Sequence, residues 1–265
     1  MGKEKNKASQ DGWRTTKKER RSYIIGDLGR TLEGYIVTAM MSTFMIFQGI
    51  NMAAVAGAML VVKIIDAFDD VVFGYFVDRI HITEWKAFKK ITGEGKYLPW
   101  YRLTYFLFPI FTALFFCMPL HWPQGAKIGW FFVFYLLYDF TYTLVEVPMQ
   151  SMIVTLTDNI DERNSILQTK TIVNSFATIG AGMIWTISIS EYVGVGIREI
   201  ALLSSLIFFF MMLPMCKGVK EHNTTLANVD PEENEKYTLK DMWNCIKTNK
   251  YLMILLLSTV ITSCL

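Results

Sequence analysis

Histidine and cysteine are scarce in this sequence, three and four residues respectively among 265. The cysteines (Cys117, Cys216, Cys245 and Cys264) lie far apart without metal-ligand spacing, which supports neither a zinc site nor a disulfide framework. The histidines (His81, His121 and His222) fall in predicted loops. No phosphate-binding loop, nucleotide-binding motif or catalytic cysteine–histidine arrangement is present, which argues against a pump and against an enzyme. A net charge of +2 is too small for a nucleic-acid binder. No apolar signal-peptide core precedes the first apolar run, so no cleaved leader is expected.

Charge is also missing over long stretches. Apolar residues make up 52% and aromatic residues 14% of the chain. The charges gather in the first thirty residues, between Asp78 and Arg102, and after Lys217. A soluble protein spreads charge over its surface, whereas a membrane protein confines it to loops and tails. Because a bilayer core about 30 Å thick takes about 20 apolar helical residues, spans are predicted near 24–49, 52–77, 101–120, 127–154, 166–190 and 197–216. Gly49-Ile50-Asn51, His121-Trp122-Pro123-Gln124-Gly125 and Tyr192-Val193-Gly194 supply helix-stopping chemistry between them.

The expected fold is thus an all-α membrane protein built as a six-helix bundle. Residues 1–22 are assigned to a cytoplasmic tail, 23–217 to the bundle, 218–250 to a polar cytoplasmic linker and 251–265 to the start of a seventh helix. That last segment reaches only about 22 Å of helix at 1.5 Å per residue, short of a full crossing. Nine basic residues in Met1–Arg30, set against little beyond Lys127 and Arg198 in the opposite loops, place the N-terminus in the cytoplasm. The expected location is the plasma or inner cell membrane, with multiple passes.

Ionisable groups inside a span are functional candidates by default. In the second span Lys63, Asp66 and Asp70 are spaced i, i+3, i+7 and share one helical face. Two carboxylates one turn apart beside an ammonium suit a small monovalent cation or an exchangeable proton, with Asp69 able to assist. The competing reading makes these acids the water-facing end of a helix. In the fourth span Glu146 precedes Pro148, which frees a backbone carbonyl, and Thr143 lies one turn earlier on the same face. Hydroxyl, carboxylate and freed carbonyl oxygens are hard ligands for Na+ or a proton. The alternative is a structural Glu146 paired with Lys63 or Lys170. At the end of the second span, Gly74 would permit close helix packing, and Asp78-Arg79 would brace a neighbouring helix end.

Taken together, these residues resemble the major facilitator superfamily, with Gly74-x-x-x-Asp78-Arg79 similar to the start of its loop-two-to-three signature. More closely, the chain resembles the N-terminal half of the glycoside–pentoside–hexuronide:cation symporters, the melibiose and glucuronide permease group. The similar motifs are Ile65-Asp66-Ala67-Phe68-Asp69-Asp70 with Gly74, Gly95-Lys96-Tyr97-Leu98-Pro99-Trp100, Thr141-Tyr142-Thr143 with Glu146-Val147-Pro148, and Asp161-Glu162-Arg163. The resemblance implies a coupling-cation site at Asp66 and Asp70, with Asp69 and Thr143 as further ligands and no cofactor beyond Na+ or H+. It implies that Tyr142, Glu146 and Lys170 touch or frame a sugar, and that Lys63 is the basic residue beside the acidic pair. The chain departs from the melibiose-permease pattern at Thr31, where an Asp binds sugar, at Glu146, where the span-four acid is Asp, and at Gln150, where a Trp stacks on the sugar. A galactoside is therefore not the expected solute; a glucuronide, a pentoside or a non-sugar solute stays open.

The function expected is secondary active transport, Na+- or H+-coupled symport of a sugar, glycoside or hexuronide by alternating access. Its partners are the lipid bilayer and, if the chain ends at Leu265, a separate C-terminal six-helix half. The alternative is a non-transporting half-length subunit or scaffold that pairs with another half.

Overall fold

The computed structural model describes residues 13–79, 82, 92, 93, 95–190, 194, 196–222, 247–251, 253, 254 and 258, with backbone alone at 67–72, 75, 78 and 79. Two units are distinguished, Met1–Ala227 and Asn228–Leu265. The helices described below all belong to the first. Most of the expected linker and of the expected seventh helix lies outside the described residues.

α1 runs from Lys17 to Phe47 and α2 from Met52 to Arg79. α1 starts within the segment assigned to the tail. The Thr16 side chain accepts from the Glu19 amide, and the Glu19 carboxylate takes the Thr16 N–H at 2.7 Å, a reciprocal capping box. Hydropathy missed these first turns because Lys17, Lys18, Glu19, Arg20 and Arg21 make them polar.

The expected third span is two helices, α3 (Leu98–Thr104) and α4 (Leu107–Phe116). Pro109 lacks the N–H that would bond the Tyr105 carbonyl and its ring crowds that carbonyl, so the helix breaks at Tyr105-Phe106. The Glu221 carboxylate accepts the Lys96, Tyr97 and Leu98 amides at 2.8, 2.8 and 2.6 Å, capping α3 from the chain beyond the last helix. Gly95 sits at φ +123° with the Glu221 carboxyl 3.0 Å from where a Cβ would stand, which gives the Gly95–Trp100 motif a structural reason.

α5 spans Gln124–Leu156, α6 Ile160–Ile189 and α7 Ile197–Gly218. These three are long and apolar enough to cross a membrane. α1 packs along α6 and α7, α2 along α5, and the α3–α4 pair between α5 and α7. The α1–α7 contact is close because a Cβ on Gly26 would lie 2.6 Å from Met215 Cβ, and one on Gly29 would lie 3.0 Å from the Phe208 carbonyl. Tyrosine hydroxyls tie helices to backbone carbonyls, Tyr23 to Met149 at 3.1 Å, Tyr101 to Met212 at 3.1 Å and Tyr138 to Gly34 at 3.2 Å.

Polarity is distributed inside out relative to a water-soluble protein. Ile172, Phe176, Ile179, Met183, Ile184 and Ile187 line the outside of α6, each at least 58% exposed, while Asp27 and Glu33 in α1 are 0% exposed. An apolar exterior around buried ionisable groups is stable only where the surroundings are hydrocarbon.

Candidate functional site

Five residues that the sequence singled out come together where α1, α5 and α6 meet. Glu146 and Gln150 are one turn apart on α5, and the Gln150 amide reaches the Glu146 carboxylate at 3.4 Å. Tyr142, one turn earlier, accepts from Arg30 Nη1 of α1 at 3.0 Å. Lys170 of α6 donates to Gln150 Oε1 at 2.8 Å. Thr31 accepts from Arg30 Nη2 and from Asn174 Nδ2, both at 3.2 Å.

The centre of this cluster was not among the predicted residues. Asp27, fully buried, lies 3.4 Å from Lys170 Nζ and 3.6 Å from Arg30 Nη2, and accepts from Asn174 Nδ2 at 2.7 Å. Arg30 pairs with Glu146 at 3.3 Å. The cation beside Glu146 is therefore Arg30, neither Lys63 nor Lys170. Asp27, Arg30 and Lys170 form a buried floor, and Thr31, Tyr142, Glu146, Gln150 and Asn174 a partly exposed rim. Two acids and two bases balance the formal charge. Arg30 Nε and Asn174 Oδ1 are buried without a hydrogen-bond partner among the described residues, one donor and one acceptor held ready.

A second ionisable cluster joins α2 to α5. Lys63 Nζ lies 2.7 Å from Asp66 and 3.6 Å from Asp139, so the predicted pairing on α2 is present and Asp139 adds a carboxylate from across the interface. Thr143, one turn beyond Asp139, is buried on the same side of α5. The side chains of Asp69, Asp70, Asp78 and Arg79 lie outside the described residues.

Two predicted roles take a different form. A Cβ on Gly74 would meet nothing within 4 Å among the described residues, whereas Gly26 and Gly29 sit at a close helix contact. The carbonyl freed by Pro148 belongs to Leu144 and lies 3.2 Å from Thr104 Oγ1 of α3, whose single proton it shares with the Trp100 carbonyl at 2.9 Å, so it sits at a helix contact.

Apolar-faced helices closed around one buried ionisable cluster shared by three of them, with a second, partly exposed cluster between α2 and α5, mark a multi-pass membrane protein. The chain belongs to the MFS/sugar transport protein family, whose model matches residues 22–264, as its motif resemblance to the glycoside–pentoside–hexuronide:cation symporters implied. That family consists of transport proteins and not enzymes. The chain is 32% identical over 176 residues to the isoprimeverose transporter of Lactiplantibacillus pentosus, covering 64% of this chain and 33% of the relative. It is 27% identical over 156 residues to a glucuronide carrier protein homolog of Escherichia coli, covering 58% and 31%. The uncharacterized symporter YjmB of Bacillus subtilis is 24% identical over 257 residues, covering 93% and 52%. The matches thus take in between about a third and a half of the length of these relatives.

Proposed function

We propose that this chain forms the N-terminal bundle of a secondary active transporter that carries a sugar, glycoside or hexuronide together with Na+ or H+ by alternating access. The bundle lies in the cell membrane with its N-terminus in the cytoplasm, against a C-terminal six-helix half that forms the other wall of the pathway. The observation that carries this reading is the buried floor of Asp27, Arg30 and Lys170, its charge balanced by Glu146, beneath a partly open rim of Thr31, Tyr142, Glu146, Gln150 and Asn174. Sugar hydroxyls are donors and acceptors at once, and this rim offers both kinds of partner. The names of two relatives, an isoprimeverose transporter and a glucuronide carrier homolog, direct the first solutes to try.

The coupling cation is assigned to the α2 cluster, with Asp66, Asp69 and Asp70 as acids and Thr143 of α5 beside them. Lys63 stands between Asp66 and Asp139 as a monovalent cation would, so an arriving Na+ or proton competes with its ammonium. α5 links the two sites. Asp139 and Glu146 are seven residues, about 10.5 Å, apart along one face of that helix, so cation loading at one end and solute loading at the other bias the same element.

Uptake of labelled isoprimeverose and a glucuronide into vesicles, under a Na+ or H+ gradient, tests the proposal. The wild-type protein should accumulate one of them in a gradient-dependent manner, and Asp66→Asn and Asp70→Asn should abolish accumulation. Gradient-independent uptake that both variants retain would remove the cation site from α2.

A further inference from the structure

Neither cluster accounts for Glu33. This residue sits about 24 Å along α1 from its first residue, in the middle of the bundle, and is 0% exposed. Its neighbours come from three other helices. Ser205 of α7, itself 2% exposed, donates to Oε1 at 2.6 Å. Thr112 of α4 faces the carboxyl, but its hydroxyl donates to the Phe108 carbonyl at 3.0 Å. Tyr138 of α5 is the titratable group nearby, and its hydroxyl donates to the Gly34 carbonyl at 3.2 Å. Oε2 has no donor. Among the described residues no cation pairs with Glu33; Arg30, one turn away on the same helix, is engaged by Asp27, Tyr142 and Glu146.

A fully buried carboxylate with one neutral donor and no counter-ion is disfavoured against the neutral acid. The neutral acid also resolves the hydrogen bonding. Thr112 has already given its proton to Phe108, so its oxygen can meet Glu33 only as an acceptor. We propose that Glu33 is a proton-binding site inside the membrane, holding one proton on Oε2 at neutral pH, accepting from Ser205 through Oε1 and donating towards Thr112. Loading adds one proton to the carboxylate and changes no other bond. The site is separate from the Asp66–Lys63–Asp139 cluster, where the acids have an ammonium beside them. It goes beyond the transport reading and depends only on the membrane placement of α1, α4 and α7.

Infrared spectroscopy of the purified full-length protein in lipid vesicles, with carbon-13 label on the glutamate side chains, tests this directly. At neutral pH the wild type should show the C=O stretch of a protonated, hydrogen-bonded glutamic acid, shifted by the label. Glu33→Gln, which reproduces the shape of the neutral acid, should lack that band. Ser205→Ala should keep it but move it to higher frequency, since Oε1 loses its donor. Should Glu33→Gln not fold, the labelled wild type and Ser205→Ala decide between them. Absence of a labelled protonated band at neutral pH, or a band indifferent to both substitutions, would overturn the assignment.

Discussion

A carboxylate without exposure, such as Asp27, persists in a membrane only while cations stay beside it, and Arg30 and Lys170 supply two within 3.6 Å. Removing one partner of a buried pair typically destabilises by about 3–5 kcal/mol, because the remaining charge is left uncompensated. Asp27→Asn should therefore lower the thermal midpoint in detergent substantially and abolish solute uptake. The double variant Asp27→Asn/Lys170→Met should recover part of that midpoint, because it removes the orphaned ammonium as well. Equal losses in the single and double variants would show that the pair is not coupled. Why the sequence concealed Asp27 and Arg30 follows from their position. Arg30 was counted with the basic tail, and Asp27 lies three residues before it, so both merged with the charged N-terminal region. Yet Asp27, Arg30 and Glu33 all fall inside the predicted span 24–49. The rule that drew attention to Lys63, Asp66 and Asp70 applies to them equally. Thr31, Tyr142, Glu146, Gln150 and Lys170 were legible through motif resemblance, but their contacts were not, since no spacing along one helix tells which cation from another helix will reach Glu146.

Individual helices are held by devices that local sequence shows only in part. Hydropathy located α2, α5, α6 and α7 closely, because long apolar runs between Gly- and Asn-containing turns leave little choice of boundary. It joined α3 and α4 into one span, because an apolar scale gives no weight to the amide that Pro109 lacks. The α1–α7 interface depends on two missing side chains. Gly29→Leu would place its first carbon 3.0 Å from the Phe208 carbonyl. Such overpacking costs about 1–3 kcal/mol; the expected outcome is a lower thermal midpoint, whereas the same change at Gly57, where nothing among the described residues lies within 4 Å, should be tolerated. At the entry to α3, Glu221 satisfies three amides from 123 to 125 residues away in sequence. No pattern local to Gly95–Trp100 could have disclosed that cap. Glu221→Ala should cost about 0.5–2 kcal/mol, the range for a lost N-terminal cap, and hydrogen exchange should quicken first at the Lys96, Tyr97 and Leu98 amides. Unchanged exchange there would remove Glu221 as the cap.

Viewed as a whole, the bundle buries Asp27, Arg30, Glu33 and Lys170 while the outer face of α6 is apolar and exposed, and α5 is shared between both polar clusters. Equilibrium binding tests the solute site without requiring the rest of a transport cycle. The measurement is affinity for a labelled glucuronide or isoprimeverose, whichever the wild-type protein takes up, in Glu146→Gln and Lys170→Met, with thermal midpoints recorded beside each value. Both variants should stay folded, Lys170→Met with a lowered midpoint because Asp27 loses one of its two cations, and should lose affinity ten-fold or more, about 1.4 kcal/mol each. Wild-type affinity in both folded variants would contradict this assignment and place the solute elsewhere in the protein.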